Sequence, residues 1–236
     1  MPRSAGQPDI YAVRGKSTPQ RAVMTAAAAL CLGAACWVLF GSAIARLDAW
    51  RGWNWRSGNE IRRVCLAIAL AVYFLRLLCT QFVFLKRAVG WSEAGAVAPW
   101  LLVLYLSLAF AAGTNAAPFA AGGLAGCVLF VVGSWMNTYA EYARHVWKHR
   151  EENRGRLYTQ GLFRCVRHPN YLGDLISFSG LCLMTGRWPT VAIPLIMLAG
   201  FVFVNIPMLD AHLSDHYGAA FDAYAERTRK LIPFVY

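Results

Sequence analysis

Six apolar stretches, each near the roughly 20 residues that carry a helix across a hydrocarbon core, restrict this chain's fold more than any other feature. They cover about residues 22–45, 64–85, 94–112, 119–139, 171–185 and 189–209. Inside a bilayer the backbone must satisfy its own N–H and C=O groups, so runs of this kind are helices. Of 236 residues, 58% are hydrophobic and only 15% charged, whereas a soluble domain carries about 25% charged residues. The expectation is an all-α fold, a polytopic membrane bundle of about six spans that forms one integral membrane domain over residues 1–236. The fifth run is short and holds Asp174, which predicts a helix that is tilted or begins inside the protein. The first run is longer than the apolar core of a signal peptide and no clear cleavage site follows it, so it reads as a retained span.

Lysine and arginine set the orientation. Arg3, Arg14, Lys16 and Arg21 precede the first span, and Lys86 and Arg87 follow the second. A basic run from Arg144 to Arg167 follows the fourth, and Arg227, Arg229 and Lys230 follow the sixth. With six spans these four groups share one side, expected to be cytosolic, and the opposite loop at residues 113–117 has no charge. Arg46, Arg51, Arg56, Arg62 and Arg63 disagree, because they fall on the other side among Trp50, Trp53 and Trp55. Either that loop is an exception or the span count is off by one.

The formal charge of +11 would suggest nucleic acid for a soluble protein. Here the basic residues flank apolar runs, the pattern of membrane anchoring and of contact with anionic lipid heads or a phosphorylated cofactor. The expected partner is therefore the lipid bilayer, with no nucleic acid. Six of the seven cysteines lie in apolar runs and Cys165 stands alone in the basic segment, with no CxxC pair. They read as small hydrophobes. After the last span, residues 210–230 place Leu213, Tyr217, Phe221 and Tyr224 at spacings of four, four and three, which predicts a C-terminal amphipathic helix.

The densest polar pattern runs from Asn137 to Asp174. Asn137, Glu141, Arg144 and Lys148 share one helical face at the end of the fourth span. Pro169 restricts His168 to extended geometry. Asn170 then stands as a helix N-cap and Gly173 allows close backbone approach. Arg164, Arg167 and His168 crowd that helix start, a setting that suits phosphate or carboxylate. The bland reading of the same residues is positive-inside charge next to a proline turn. Glu141, His145 and His149 recur every fourth residue and could ligate a metal from one helix face. Too few other histidines accompany them, so no metal is expected. Arg76, inside the second span near Tyr73 and Gln81, reads as lining a substrate chamber or pairing with a carboxylate.

The segment GLFRCVRHPNYLGDLISFSG, from Gly161 to Gly180, resembles the C-terminal catalytic region shared by sterol C14/C7 reductases and steroid 5-alpha-reductases. The ending RKLIPFVY, Arg229 to Tyr236, is similar to the ends of both reductase families. The likeness covers about the last hundred residues, from Asn137 on. It implies that Asn137 and Glu141 meet the nicotinamide end or ribose of NADPH, with Arg144, Lys148 and Arg156 as phosphate partners. It also implies that Arg167, His168, Asn170, Tyr171 and Asp174 form the pocket wall, and that Asp210, His212, Tyr217 and Tyr224 lie where the protein closes over the cofactor. Glu141 stands where 5-alpha-reductases have Asp, and Met208 or Leu209 stands where sterol reductases have an arginine. A shorter Arg-His-Pro-x-Tyr pattern occurs in isoprenylcysteine carboxyl methyltransferases, which use S-adenosylmethionine. Those carry a Glu-Glu pair after the last span, where this chain reads Leu209-Asp210-Ala211-His212.

The resemblance implies an NADPH-dependent reductase of an activated C=C bond in a hydrophobic lipid or steroid-like substrate. Residues 118–236 would form the cofactor-binding catalytic region, open to the cytosol together with the C-terminus, and residues 1–117 the substrate chamber. Such a reaction needs a polariser and a proton source, for which Tyr73, Glu60 and Glu93 in the N-terminal half are the candidates. The alternatives are an S-adenosylmethionine-dependent methyltransferase and a non-catalytic membrane protein that uses the pocket to sense a ligand.

Overall fold

The computed structural model describes residue 15 and residues 17–236, so Arg3, Arg14 and Lys16 lie outside the described residues. Nine α-helices follow one another there: α1 (Thr18–Phe40), α2 (Ala43–Arg51), α3 (Glu60–Cys79), α4 (Trp91–Gly113), α5 (Ala121–Lys148), α6 (Pro169–Thr185), α7 (Ala192–Gly200), α8 (Ile206–Tyr217) and α9 (Ala219–Arg227). A widened π-helical turn, Thr80–Phe84, prolongs α3, and another, Phe201–Asn205, joins α7 to α8. Pro207, with no N–H to offer the carbonyl one turn back, accounts for the second widening.

Five segments are long and apolar enough to cross a membrane: Thr18–Phe40, Glu60–Phe84, Trp91–Gly113, Ala121–Lys148 and Trp188–Tyr217. The fifth expected span, α6, is a helix of only 17 residues. It still runs the full course between the two ends of the bundle. At one end Asn137 Nδ2 donates to the Asn170 carbonyl at 3.0 Å. At the other, Asn115 Nδ2 donates to Thr185 O at 2.8 Å. The six rods alternate in direction. Arg21 at the start of α1 donates to the carbonyls of Gln81, Leu85 (3.0 Å) and Arg87 (2.9 Å) at the end of the α3 rod. Gly58 N donates to Gly113 O (2.6 Å) and Asn59 N to Asn115 O (2.9 Å), joining the start of α3 to the end of α4.

The core forms where α1, α3, α4 and α6 meet. α1 offers Ala28, Cys31, Ala35 and Leu39, spaced by three or four, to Leu101, Leu104, Tyr105 and Leu108 of α4. Small side chains let the two helices approach, the usual device where lipid leaves no hydrophobic drive between spans. The α5–α6 seam is closer still. Gly126 and Gly133 of α5 face Gly180 and Gly173 of α6, each pair seven residues apart. A Cβ on Gly133 would stand 2.4 Å from Ser177 N, and one on Gly173 2.6 Å from Asn137 N.

Two expectations are corrected. Residues 210–230 are not one amphipathic helix: the last span continues to Tyr217, Gly218 (φ 50°) breaks it, and α9 follows. Phe221 and Tyr224 are buried on α9, while Leu213 and Tyr217 are half-buried on α8. Second, the arginines opposite the main basic end are not all free charges. Arg62 is 3% exposed and donates to the carbonyls of Met184 (2.7 Å), Ala117 and Pro118 (both 3.1 Å). Arg63 donates to Leu39 O at 2.9 Å. Both brace helix ends, which removes part of the conflict with the positive-inside pattern.

Candidate functional site

The polar residues of α3, α5 and α6 form a column from mid-bundle to the basic end. Deepest are Tyr73 and Arg76. The Arg76 guanidinium donates to Ser134 Oγ at 3.0 Å and pairs with Asp174 at 2.8 Å. Its carbon stands 6.0 Å from the centre of the Tyr73 ring, which packs edge-on against Phe178 (5.1 Å) and lies 6.0 Å from Tyr105. The carboxylate alternative for Arg76 therefore holds, and the pair sits beside the Tyr73 ring.

One to two turns nearer the basic end, Asn170 Nδ2 donates to Glu141 Oε1 at 2.9 Å and Arg144 Nη2 to Glu141 Oε2 at 2.5 Å. Glu141 and Asn137 are both buried. Asn170 is thus not the N-cap of α6. The helix begins at Pro169, whose fixed φ suits that position, and His168 is the cap residue without a capping side chain. The freed Asn170 amide reaches Glu141 because Gly173 lets α6 lie directly on Asn137.

Arg167 and His168 point elsewhere. Asp210 of α8 accepts from Arg167 Nη2 (2.8 Å) through one oxygen and meets His168 Nε2 (2.9 Å) through the other. Arg167 Nη1 also donates to Ala225 O (3.0 Å) and Thr228 O (2.8 Å). The backbone continues this clamp: Val166 bridges Arg229, Arg167 N donates to Arg229 O (2.7 Å) and His168 N to Lys230 O (3.0 Å). Tyr224 OH donates to Phe163 O at 2.7 Å. The His168, Tyr171 and Phe201 rings stack in series at 5.4 and 4.5 Å. Burial pushes the His168 imidazole below its ordinary pKa, outweighing Asp210, which acts the other way. Burial likewise raises the Tyr224 hydroxyl.

Towards the surface, Lys148 Nζ donates to Tyr217 OH at 2.7 Å and to the Arg156 carbonyl, tying the end of α5 to the end of α8. Arg156 is exposed and His212 half-buried, its ring 6.1 Å from His216. The Arg144 side chain is 37% exposed and the pair with Glu141 engages one Nη. Partly exposed cations beside the buried Asn137 and Glu141 and the half-buried Asn170 are a donor set that fits a phosphorylated nucleotide. Among the described residues, no three His, Cys, Asp or Glu side chains gather into a metal-holding group.

Two of the sequence-derived catalytic candidates lie apart from this column. Glu60 is exposed in the first turn of α3, thirteen residues and about 20 Å of helix from Tyr73, at the other end of the bundle. Glu93 forms a two-pronged pair with Arg87, both contacts 2.6 Å, and fastens the α3–α4 turn. Ser134 and Phe201 join the site unannounced. Ser134 lies one turn before Asn137 on the same helical face, a signal present in the sequence, whereas Phe201 reaches Tyr171 only through the last span's path.

Residues 93–228, more than half of the chain, match the family model described as "Protein of unknown function (DUF1295)". The chain belongs to the DUF1295 family. This DUF1295 chain is 35% identical over 118 residues to a probable O-methyltransferase, ustE, of Ustilaginoidea virens (44% of this chain, 42% of that protein). It is 29% identical over 113 residues to steroid 5-alpha-reductase DET2 of Gossypium hirsutum (48% and 42%). It is 33% identical over 92 residues to protein-S-isoprenylcysteine O-methyltransferase B of Arabidopsis thaliana (39% and 46%). The chain therefore spans less than half the length of these curated relatives, which are enzymes of two kinds.

Proposed function

We propose that this DUF1295 protein is an NADPH-dependent membrane reductase that saturates an activated C=C bond in a steroid-like or other lipid substrate. One observation supports this most. The two segments that carry the reductase resemblance, Gly161 to Gly180 and Arg229 to Tyr236, are clamped together through the backbone of Val166, Arg167 and His168.

Bound at the column, NADPH supplies the hydride. Asn137, Glu141 and Asn170 would hold its nicotinamide and ribose end, and Arg144, Lys148 and Arg156 would neutralise its phosphates. The segment bearing Asp210, His212, Tyr217 and Tyr224 closes the site, with Arg167 and His168 fixing that closure rather than touching the cofactor. The Tyr73 hydroxyl, beside the Arg76–Asp174 pair, donates to the carbonyl conjugated with the substrate double bond, so that negative charge developing there is stabilised. With the cofactor bound, hydride would go to the β-carbon of the double bond and the α-carbon would take its proton from water. The substrate enters from the bilayer through residues 1–117, and the site end faces the cytosol.

The second reading is an S-adenosylmethionine-dependent methyltransferase acting on a lipid or prenylated carboxyl group, favoured by the two methyltransferase relatives. Against it, Asp210, the one carboxylate where those enzymes carry a Glu-Glu pair, has both oxygens engaged by Arg167 and His168. The test is the protein in liposomes with a panel of conjugated-enone steroids and lipids. Oxidation of NADPH with a product two hydrogens heavier supports the reductase. Transfer of a labelled methyl group from S-adenosylmethionine, with no NADPH oxidation, overturns it.

A further inference from the structure

At the bundle end opposite the site, α1, α2 and α4 enclose a groove of about 440 Å³. Trp37, Ala43, Leu47 and Leu106 are among its walls, Trp50 is at its rim, and Arg46 is its one charged lining residue. Arg46, Arg51 and Arg56 are exposed. Among the described residues none of the three has an acidic partner. Arg51 is instead held over the rings of Trp50, at 4.2 Å, and Trp53, at 5.4 Å. Arg62 and Arg63 are occupied by carbonyls, so these three arginines are what remains of the positive charge that runs against the positive-inside pattern.

We infer that this groove binds one acyl chain of an anionic phospholipid, with the lipid's phosphate-bearing head held by Arg46 and Arg51 at the mouth. The apolar walls match a hydrocarbon chain and leave the head no buried polar partner. The mouth has two unpaired guanidiniums, which match phosphate in fork geometry. Trp37, Trp50 and Trp53, all more than half exposed, supply indoles of the kind that favour the headgroup boundary. The site lies away from Tyr73 and Asp174, so it does not depend on the proposed reaction.

The experiment uses the full chain purified in neutral detergent, with phosphatidylglycerol and phosphatidylcholine of the same acyl chains titrated separately by native mass spectrometry. The basic site end also attracts anionic lipid, so the readout is the tightest-bound lipid, compared across variants. Phosphatidylglycerol is expected to bind more tightly, and each arginine removed weakens it by about fivefold. In Arg46→Ala/Arg51→Ala the preference should vanish at that tightest site, in Arg46→Lys/Arg51→Lys it should largely persist, and Leu47→Asp should weaken both lipids. Equal binding of the two lipids by the unmodified protein, or a preference that survives the double alanine variant, overturns the inference.

Discussion

Replacing Gly133 by alanine should damage the site without touching a polar residue. The added Cβ would stand 2.4 Å from Ser177 N and 2.5 Å from Gly173 O, both backbone atoms with no freedom to rotate away. Ordinary contact is 3.4–4 Å, so α5 and α6 must separate by about 1 Å. Forced overpacking of this kind costs about 1–3 kcal/mol. For a chain of this size each kcal/mol lowers the unfolding midpoint by about 2–4 °C. The separation also acts on function. Asn137 to Asn170 (3.0 Å) crosses the seam, and Arg76 bonds to both helices through Ser134 (3.0 Å) and Asp174 (2.8 Å). Adding about 1 Å takes these beyond the ~3.2 Å limit of a good N–H···O bond. The assay is thermal unfolding in detergent with and without cofactor, beside Gly33→Ala, whose Cβ meets nothing on the exposed side of α1. Gly133→Ala should unfold earlier and lose most of its cofactor response, while Gly33→Ala should be neutral or stabilising. If the two variants behave alike, the seam does not set the site's geometry.

Asp210→Asn removes one partner of a nearly buried pair and leaves Arg167, with an 8% exposed side chain, short of its anion; a loss of about 3–5 kcal/mol in denaturant-driven unfolding is expected. Arg76→Leu strands Asp174 in mid-bundle, so turnover on an enone substrate should fall; unchanged turnover in a folded variant would refute its place in the chamber. Glu60→Gln and Glu93→Gln should keep turnover, with Glu93→Gln losing only the stability of its Arg87 pair. His168 has a folded pKa below its unfolded value of about 6.5, so the neutral form is the one folding favours. Its stability contribution is therefore present above pH ~6.5 and lost as pH falls below that. Midpoints measured from pH 8 to 5 should drop on acidification, with a smaller slope in His168→Gln; a rise would contradict the sign.

Much of the fold could be read from the apolar runs, because span length and backbone satisfaction leave few choices. The short fifth run with Asp174 became α6, and the glycine at 173 foreshadowed its close contact with α5. The break at Gly218 was hidden because Leu213, Tyr217, Phe221 and Tyr224 keep a helical rhythm across it. Spacing along a helix brought Asn137, Glu141, Arg144 and Lys148 together, since they lie on one element. It could not pair Arg76 with Asp174, or Arg167 with Asp210, because those contacts depend on how distant helices are placed. Nor could it show that Glu60, whose residue type suited a proton donor, lies in the first turn of α3, away from Tyr73 and Arg76. The far-side arginines looked like an error in topology, whereas Arg62 and Arg63 are carbonyl braces, a role with no sequence signature.

The most direct test of the account is thermal stability of the purified protein with NADPH, NADH, S-adenosylmethionine and S-adenosylhomocysteine added separately. A ligand that binds only the folded form stabilises it by about 2.7 kcal/mol at a hundredfold excess over its dissociation constant. The account predicts a shift with NADPH that is lost in Asn137→Ala and reduced in Arg144→Ala, and no shift with the adenosyl ligands. A shift with S-adenosylmethionine or S-adenosylhomocysteine and none with NADPH would contradict it.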